Sequence, residues 1–491
     1  MKTVTITDAA LSIEDLLAVV DGAPVELAAS ARARIAAGRA VIDDALASGE
    51  AIYGVTTQVG HGKDVRLSDD ELRGQQRMLV MTHSGGFGPA LPTPQVRAAL
   101  VMRLNGIACG GSGASMAAAD SLAAMLNAGV HPVVAETASV GAGDLSQMAD
   151  VAQVAIGVGR AEYQGELLPG GEALHRAGIV PLVLEPKDGL ALISANSFSI
   201  GRGALVVARA ARVAEAADIA AALSMEATDG NPSIVLPAVG RAKPYPGQIA
   251  ASEHLRGALD GSRLLERGAA HSVQDALSFR VAPQVHGALR DYVDVARRAV
   301  EVELNAASDN PLVSVEDRIL ISNGNFHPMV LAIAFDALRV AIAHVGQLSD
   351  RRLSHLWDAF FQRMASAGPP SGTGAPPLFG LQLRYPAAAA FPELKQLAEP
   401  ATLDTPILDI GVEDHGTSAP LSVRNTDTAL GLLGDILAIE LLMAHDVIAA
   451  MSARPMMGKG TSEAFRMVEE AIAGAAAVPA EVHRTLRAVF P

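Results

Sequence analysis

Apolar positions recur at three- and four-residue spacing over four long stretches of the chain, 204–227, 285–302, 328–356 and 426–451. That spacing keeps one face of a helix apolar. Several of these stretches exceed about 20 residues without an internal proline, a length at which helices usually pack side by side in a bundle. The first 200 residues are more broken. A short strand-like start leads to Ser12, Glu14 and Asp15, which read as a helix N-terminus because a hydroxyl caps the free N–H groups and acids favour the positive end of the dipole. Helical spacing follows over 28–46. Residues 53–64 interleave Thr, Gln and Asp side chains with Gly54, Gly60 and Gly62 and read as a loop. Helical patterns return over 66–130, interrupted at 82–86 and 109–113, and again over 148–158, with connections at 168–171 and 181–189. A soft boundary near residue 200 separates a loop-rich helical domain, 1–200, from a long helix-bundle domain, 201–491. The most loop-like stretch of the second domain is 368–374, flanked by Pro376 and Pro377. No short repeat or low-complexity tract is evident.

Composition strengthens the helical reading. Of 491 residues, 50% are hydrophobic but only 3% aromatic, so Ala, Leu, Val and Ile fill the interior. Ala and Leu are strong helix formers, and a mostly α fold is expected. The net charge of −15 argues against nucleic acid or an anionic membrane as partner. The start has no apolar signal core, and the longest apolar runs are broken by Arg, Asp or Glu before the roughly 20 residues a bilayer requires. The single Cys109 excludes a disulfide framework within one chain and fits a reducing cytosol. A cytoplasmic protein is expected.

The candidate chemistry centres on the turn Thr137-Ala138-Ser139-Val140-Gly141-Ala142-Gly143-Asp144-Leu145-Ser146. It resembles the core signature of the aromatic amino acid ammonia-lyases, Ser-Val-Gly-Ala-Ser-Gly-Asp-Leu. In that family the Ala-Ser-Gly cyclises and dehydrates into methylidene-imidazolone (MIO), an electrophile made from the backbone. Here Gly143 follows Ala142 directly. The methylidene carbon of MIO comes from the Ser side chain, so no MIO is expected. The order of further motifs is similar to the family's from about residue 50 to about 420.

Gln274-Asp275-Ala276-Leu277-Ser278-Phe279-Arg280 resembles the family's Gln-Asp-x-Tyr-Ser-x-Arg, which implies that Arg280 holds a substrate carboxylate; a guanidinium does this with two parallel hydrogen bonds. Leu277 stands where the family has Tyr. Tyr53-Gly54-Val55 is similar to the family's Tyr-Gly-Val-Asn-Thr-Gly and implies that Tyr53 is the base that removes the β-proton. A Tyr titrates near pH 10, so such a base needs a positive or hydrogen-bonded setting. Thr82-His83 resembles the Ser-His of histidine ammonia-lyases, and Glu413-Asp414-His415 resembles the end of their Gln-Glu-Asp-His; both imply an imidazole-bearing substrate. Arg384 falls where the family usually has Gln. It either adds a positive charge to the ring pocket or forms a salt bridge that neutralises Glu413. Asn310, in Ser308-Asp309-Asn310-Pro311, and Asn325, in Asn323-Gly324-Asn325-Phe326-His327, resemble loop and binding residues. Ser194-Ala195-Asn196 replaces the family's Asn-Gly-Thr, whose Asn supports MIO, and the nearby Asn196 offers its amide to the site as a substrate-binding group.

Loss of the electrophile beside kept binding residues implies an easier elimination. A quaternary amine leaves as a neutral molecule and needs no further activation. Ergothionases, relatives that release trimethylamine from a thiohistidine betaine, are similar in this respect. The reading is therefore a MIO-independent lyase acting on a histidine-derived betaine or amino acid, with no metal, and assembled as a homotetramer with shared sites, as the resemblance implies. Two alternatives stand beside it: a histidine ammonia-lyase whose loop forms an electrophile in another way, and a non-catalytic binding relative.

Overall fold

The computed structural model of the protein describes residues 1–49, 51–367, 378–475 and 478–491. The loop expected at 368–374 lies outside these residues. The chain is mostly helical, as its Ala- and Leu-rich composition predicts. It divides into two compact units, each gathered from three stretches. The first holds Met1–Val206, Arg297–Ile333 and Ala401–Arg424; the second holds Val207–Ala296, Ala334–Pro400 and Asn425–Pro491. A single boundary near residue 200 does not describe this division, because two later stretches return to the first unit.

In the first unit, Val4–Ile6 pairs in parallel with Val25–Leu27. The helix Ile13–Val20 starts as expected at Ser12, whose hydroxyl accepts the Asp15 N–H at 3.0 Å while the Asp15 carboxylate accepts the Ser12 N–H at 3.3 Å. Ala29–Ser48 follows and stops at Gly49 in the left-handed conformation. Helices Asp69–His83, Thr93–Ala108, Met116–Ala128, Leu145–Ala155 and Asp188–Ile193 fill much of the rest, with short strand pairs between them. Residues 168–171 are not a connection. They end the strand Glu166–Pro169 and begin the helix Gly170–Arg176, and a Cβ on Gly170 would collide with the Val158 carbonyl, so glycine here marks close packing and not a break. The strand pair Leu312–Ser314 and Ile319–Ile321 sits over Val41, Ile42, Ile52 and Val55 through Val313 and Leu320.

The second unit takes in most of the long helices Ser197–Thr228, Ala282–Leu304, Met329–Ala367 and Ala419–Ala449. Its apolar core joins Ala221, Met225, Leu255, Leu259, Leu264 and Phe279. Buried Arg339 donates to the Leu397 and Glu399 carbonyls and pairs with Asp336, fixing one long helix against the end of Gly380–Leu397. Two helical stretches, Asp188–Thr228 and Met329–Arg363, are long and apolar enough to cross a membrane by composition, which the sequence pattern did not anticipate. Their apolar windows are 89% and 61% buried within the protein; burial accounts for the composition of the first, whereas Val330, Ile333 and Val340 of the second are exposed.

Candidate active site

A cavity of about 490 Å³ opens in the first unit. Its floor is the turn that resembles the MIO loop: Ser139, Val140, Ala142, Gly143, Leu145 and Ser146 all line it. The turn is held from several sides. The Thr417 hydroxyl donates to the Gly141 carbonyl at 2.7 Å, and the Ser418 N–H donates to the Val140 carbonyl at 2.9 Å. The Ser139 hydroxyl accepts the Gly141 N–H and donates to the Gly143 carbonyl, both at 3.0 Å. The Gly143 N–H donates to Asn196 Oδ1 at 3.0 Å, and Asn196 Nδ2 donates to the Phe326 carbonyl at 2.6 Å. Asn196 is fully buried and its amide is spent on the loop, so it positions the floor and does not present itself to a ligand, contrary to the binding role the sequence suggested. Asp144 is also buried. It accepts the Ser199 N–H and hydroxyl, and burial raises its pKa against these hydrogen bonds.

Gly141, at φ +82°, has no room for a side chain: a Cβ there would collide with Thr417 Oγ1 and lie 2.9 Å from the Ala419 nitrogen. Gly141→Ala should therefore cost about 2–5 kcal/mol from left-handed strain and overpacking together. Chemical denaturation would read this as a lowered midpoint, and an unchanged midpoint would mean that the loop can move away from Thr417.

Tyr53 enters from the loop after Ala29–Ser48. Gln76, almost wholly buried in the helix Asp69–His83, fixes that loop by donating to the Gly54 carbonyl at 3.3 Å and accepting the Leu190 N–H at 3.0 Å. The Tyr53 hydroxyl accepts the Gly60 N–H at 3.1 Å. Burial raises the Tyr53 pKa. The Gly60 hydrogen bond opposes the rise, and the nearby carboxylates of Glu413 and Asp409 add to it. His83 is the last residue of its helix. Its Nδ1 lies 2.8 Å from the Leu79 carbonyl, which can only accept, so Nδ1 carries a proton and Nε2 is the ring nitrogen left for a ligand. Glu413 also lines the cavity; burial raises its pKa, Asp409 adds to the rise and His83 offsets it.

Asn310 lines the far wall and accepts the Asn323 N–H at 3.1 Å. The turn behind it rests on buried charge. Arg103 and Asp309 pair at 2.7 Å, and Lys187 Nζ donates to the Pro311 carbonyl at 3.3 Å, with the Lys187 pKa lowered by burial to about 8. Asn325 is exposed and outside the lining, whereas its neighbour Phe326 is part of it.

The cavity thus brings together Tyr53, His83, Asn310, Glu413 and the 142–143 turn. It does not include Arg280 or Arg384, which lie in the second unit. Arg280 ends the short helix Leu277–Arg280, and its guanidinium has no hydrogen-bond or ion-pair partner among the described residues. Arg384 pairs with Asp350 at 3.0 Å and donates to the Ser354 hydroxyl at 3.2 Å. Its salt-bridge partner is therefore Asp350 and not Glu413. Ser194, His61 and Asp409 are among the lining residues given no binding or catalytic role from sequence. Ser194 offers a hydroxyl where the family has an amide. His61 and Asp409 pair across the cavity mouth at 2.8 Å. Only the loop character of 53–64 hinted at His61. Among the described residues no group of three or more His, Cys, Asp and Glu side chains is placed to hold a metal ion.

A largely buried phenol, an imidazole and a carboxylate thus surround a glycine-rich turn in one cavity. The chain belongs to the aromatic amino acid lyase family, whose model matches residues 11–470, and it is a carbon–nitrogen lyase. It is 39% identical over 472 residues to a histidine ammonia-lyase of Anaeromyxobacter sp. (strain K), covering 91% of this chain and 90% of that one. It is 37% identical over 494 residues to a histidine ammonia-lyase of Chloroflexus aurantiacus, covering 96% and 92%. Its fold matches the crystal structure of the ergothioneine-degrading enzyme ergothionase from Treponema denticola, in complex with desmethyl-ergothioneine sulfonic acid. That match has a TM-score of 0.92 and 26% identity, and it covers 99% of both chains.

Proposed function

We propose that this protein eliminates an amine from a histidine-derived substrate without MIO, and that its preferred substrate is a quaternary betaine such as that of histidine or thiohistidine. The observation that carries the reading is the 142–143 turn. It sits at the floor of a cavity that keeps Tyr53, His83 and Glu413, yet no serine stands between Ala142 and Gly143 to supply a methylidene carbon. The Gly143 N–H, from the residue type that must attack a carbonyl to close the MIO ring, is instead donated to Asn196. The residues present do not fit that group, and no step is routed through it.

A trimethylammonium group departs as a neutral amine. The bond to nitrogen breaks with its electron pair going to nitrogen, while Tyr53 takes the β-proton and the remaining pair forms the double bond of a urocanate-like acrylate. His83 Nε2 and Glu413 hold the ring. Arg280, unpaired among the described residues of its own chain, holds the carboxylate from a neighbouring subunit of a homotetramer working in the cytosol. The histidine ammonia-lyase relatives favour a second reading, elimination of ammonia from histidine itself.

A substrate panel separates the two. Purified protein would be given histidine, its trimethyl betaine and the thiol-bearing betaine, with the ultraviolet rise of a conjugated acrylate followed in each case. Mass analysis of the 137–150 peptide and light scattering would run alongside. Betaine turnover by a tetramer with an unmodified peptide is the expected result. Histidine turnover with a dehydrated peptide would replace this reading with the second, and a monomer would remove the route for Arg280.

A further inference from the structure

We propose that Asp409 is the specificity-determining residue that receives the cationic amine of the substrate. This rests on the elimination reading above and assigns its ammonium subsite. The lining of the cavity contains two carboxylates, Asp409 and Glu413, and no Lys or Arg among the described residues. Glu413 and His83 suit the ring, which leaves Asp409 as the remaining anion. Few aromatic faces are available to hold a quaternary ammonium, since only Tyr53 and Phe326 contribute phenyl rings to this lining, so a carboxylate is the cation partner on offer.

Asp409 is held in place at a cost. Leu408 and Glu413 close a tight hairpin, with the Leu408 N–H donating to the Glu413 carbonyl at 2.8 Å and the Glu413 N–H to the Leu408 carbonyl at 3.3 Å. Inside it Asp409, Ile410 and Gly411 are all left-handed, at φ +47°, +55° and +85°. Such a conformation is unfavourable for a β-branched residue, and Ile410 is 89% exposed, so burial of its side chain gives nothing back. The turn brings the Asp409 carboxylate against Gly60, where a Cβ would strike Oδ2, and onto His61 Nδ1. Gly60 is also the residue whose N–H meets the Tyr53 hydroxyl. One strained hairpin therefore carries the ring-binding carboxylate and a second carboxylate beside the base. Burial raises the Tyr53 pKa and the two carboxylates add to the rise; a cation seated at Asp409 offsets the contribution of that carboxylate and makes the phenol a better base.

Asp409→Asn keeps the shape and can still accept from His61, so it removes charge and little else. Calorimetric binding to the wild type and the variant would compare a betaine with a urocanate-type acrylate, which has the ring and carboxylate but no amine. The expected result is a Kd for the betaine weakened about 30-fold or more, the scale of losing one partner of a close charge pair, with the acrylate unchanged or tighter. In a pH profile the ascending limb of kcat/KM should move to lower pH, because one of the charges that raises Tyr53 is gone. Equal change, or no change, in the two affinities would reduce Asp409 to a latch for His61 and leave the lyase reading standing. If the wild type binds histidine and not the betaine, the betaine reading fails, and the same comparison with histidine still decides Asp409. If no amine binds while the acrylate does, both proposals fall.

Discussion

Tyr53→Phe is expected to lower kcat/KM by about a thousandfold, within the range usual for loss of a positioned general base. The phenol oxygen is the only basic group that the 53–64 loop brings to the cavity beside His61, and the Gly60 N–H fixes its direction. Binding of an acrylate product should change little, because the proposed reading assigns the ring and carboxylate to other groups. The pH dependence gives a second readout. A base acts when deprotonated, and the Tyr53 pKa stands above the ordinary tyrosine value because of burial and two nearby carboxylates. Activity of the wild type should therefore climb as pH rises through the alkaline range, and the residual activity of the Phe variant should lose that limb. The measurement is kcat/KM against pH for both proteins with a betaine substrate. Activity within tenfold of the wild type, with the same limb, would remove Tyr53 from the mechanism.

How much of this was legible in the sequence differs by element. The four periodic stretches appear as Ser197–Thr228, Ala282–Leu304, Met329–Ala367 and Ala419–Ala449, each somewhat longer than its pattern. Apolar spacing reports the buried face, while helix ends are set by caps and packing. The same spacing names no neighbour, so the return of Arg297–Ile333 and Ala401–Arg424 to the first unit was not readable. Motif resemblance brought Tyr53, His83, Asn310 and Glu413 to one cavity. It could not say that the Asn196 amide faces the loop, nor that Arg384 has Asp350 as its partner. Asp409 was invisible for a further reason. Its position depends on left-handed backbone at Asp409 and Ile410, which the β-branched Ile410 argues against, and on His61, 348 residues away in sequence.

Arg352→Met should destabilise the second unit by about 3–5 kcal/mol, the cost of leaving a buried charge without its partner. Arg352 and Glu440 are both fully buried, and the guanidinium meets the carboxylate with two donors, Nε to Oε1 at 2.6 Å and Nη2 to Oε2 at 3.0 Å. Ser224 and Ser349 donate to the same carboxylate at 2.7 and 2.5 Å, so Glu440 is satisfied from four directions. The remaining Arg352 nitrogen, Nη1, donates to the Ser278 carbonyl at 3.0 Å, within the short helix that ends in Arg280. Losing the guanidinium thus strands a carboxylate and frees the backbone of the helix that ends in Arg280, the proposed carboxylate clamp. Arg352→Met/Glu440→Leu should recover much of the loss, since the stranded charge goes with its partner, although two serine hydroxyls are then left unpaired. Denaturant midpoints for the two single variants and the double variant would measure the coupling. A strictly additive double variant would mean that the pair contributes nothing beyond its two side chains. A stability recovery with activity still lost would instead tie Arg352 to the placement of Arg280 through the Ser278 carbonyl.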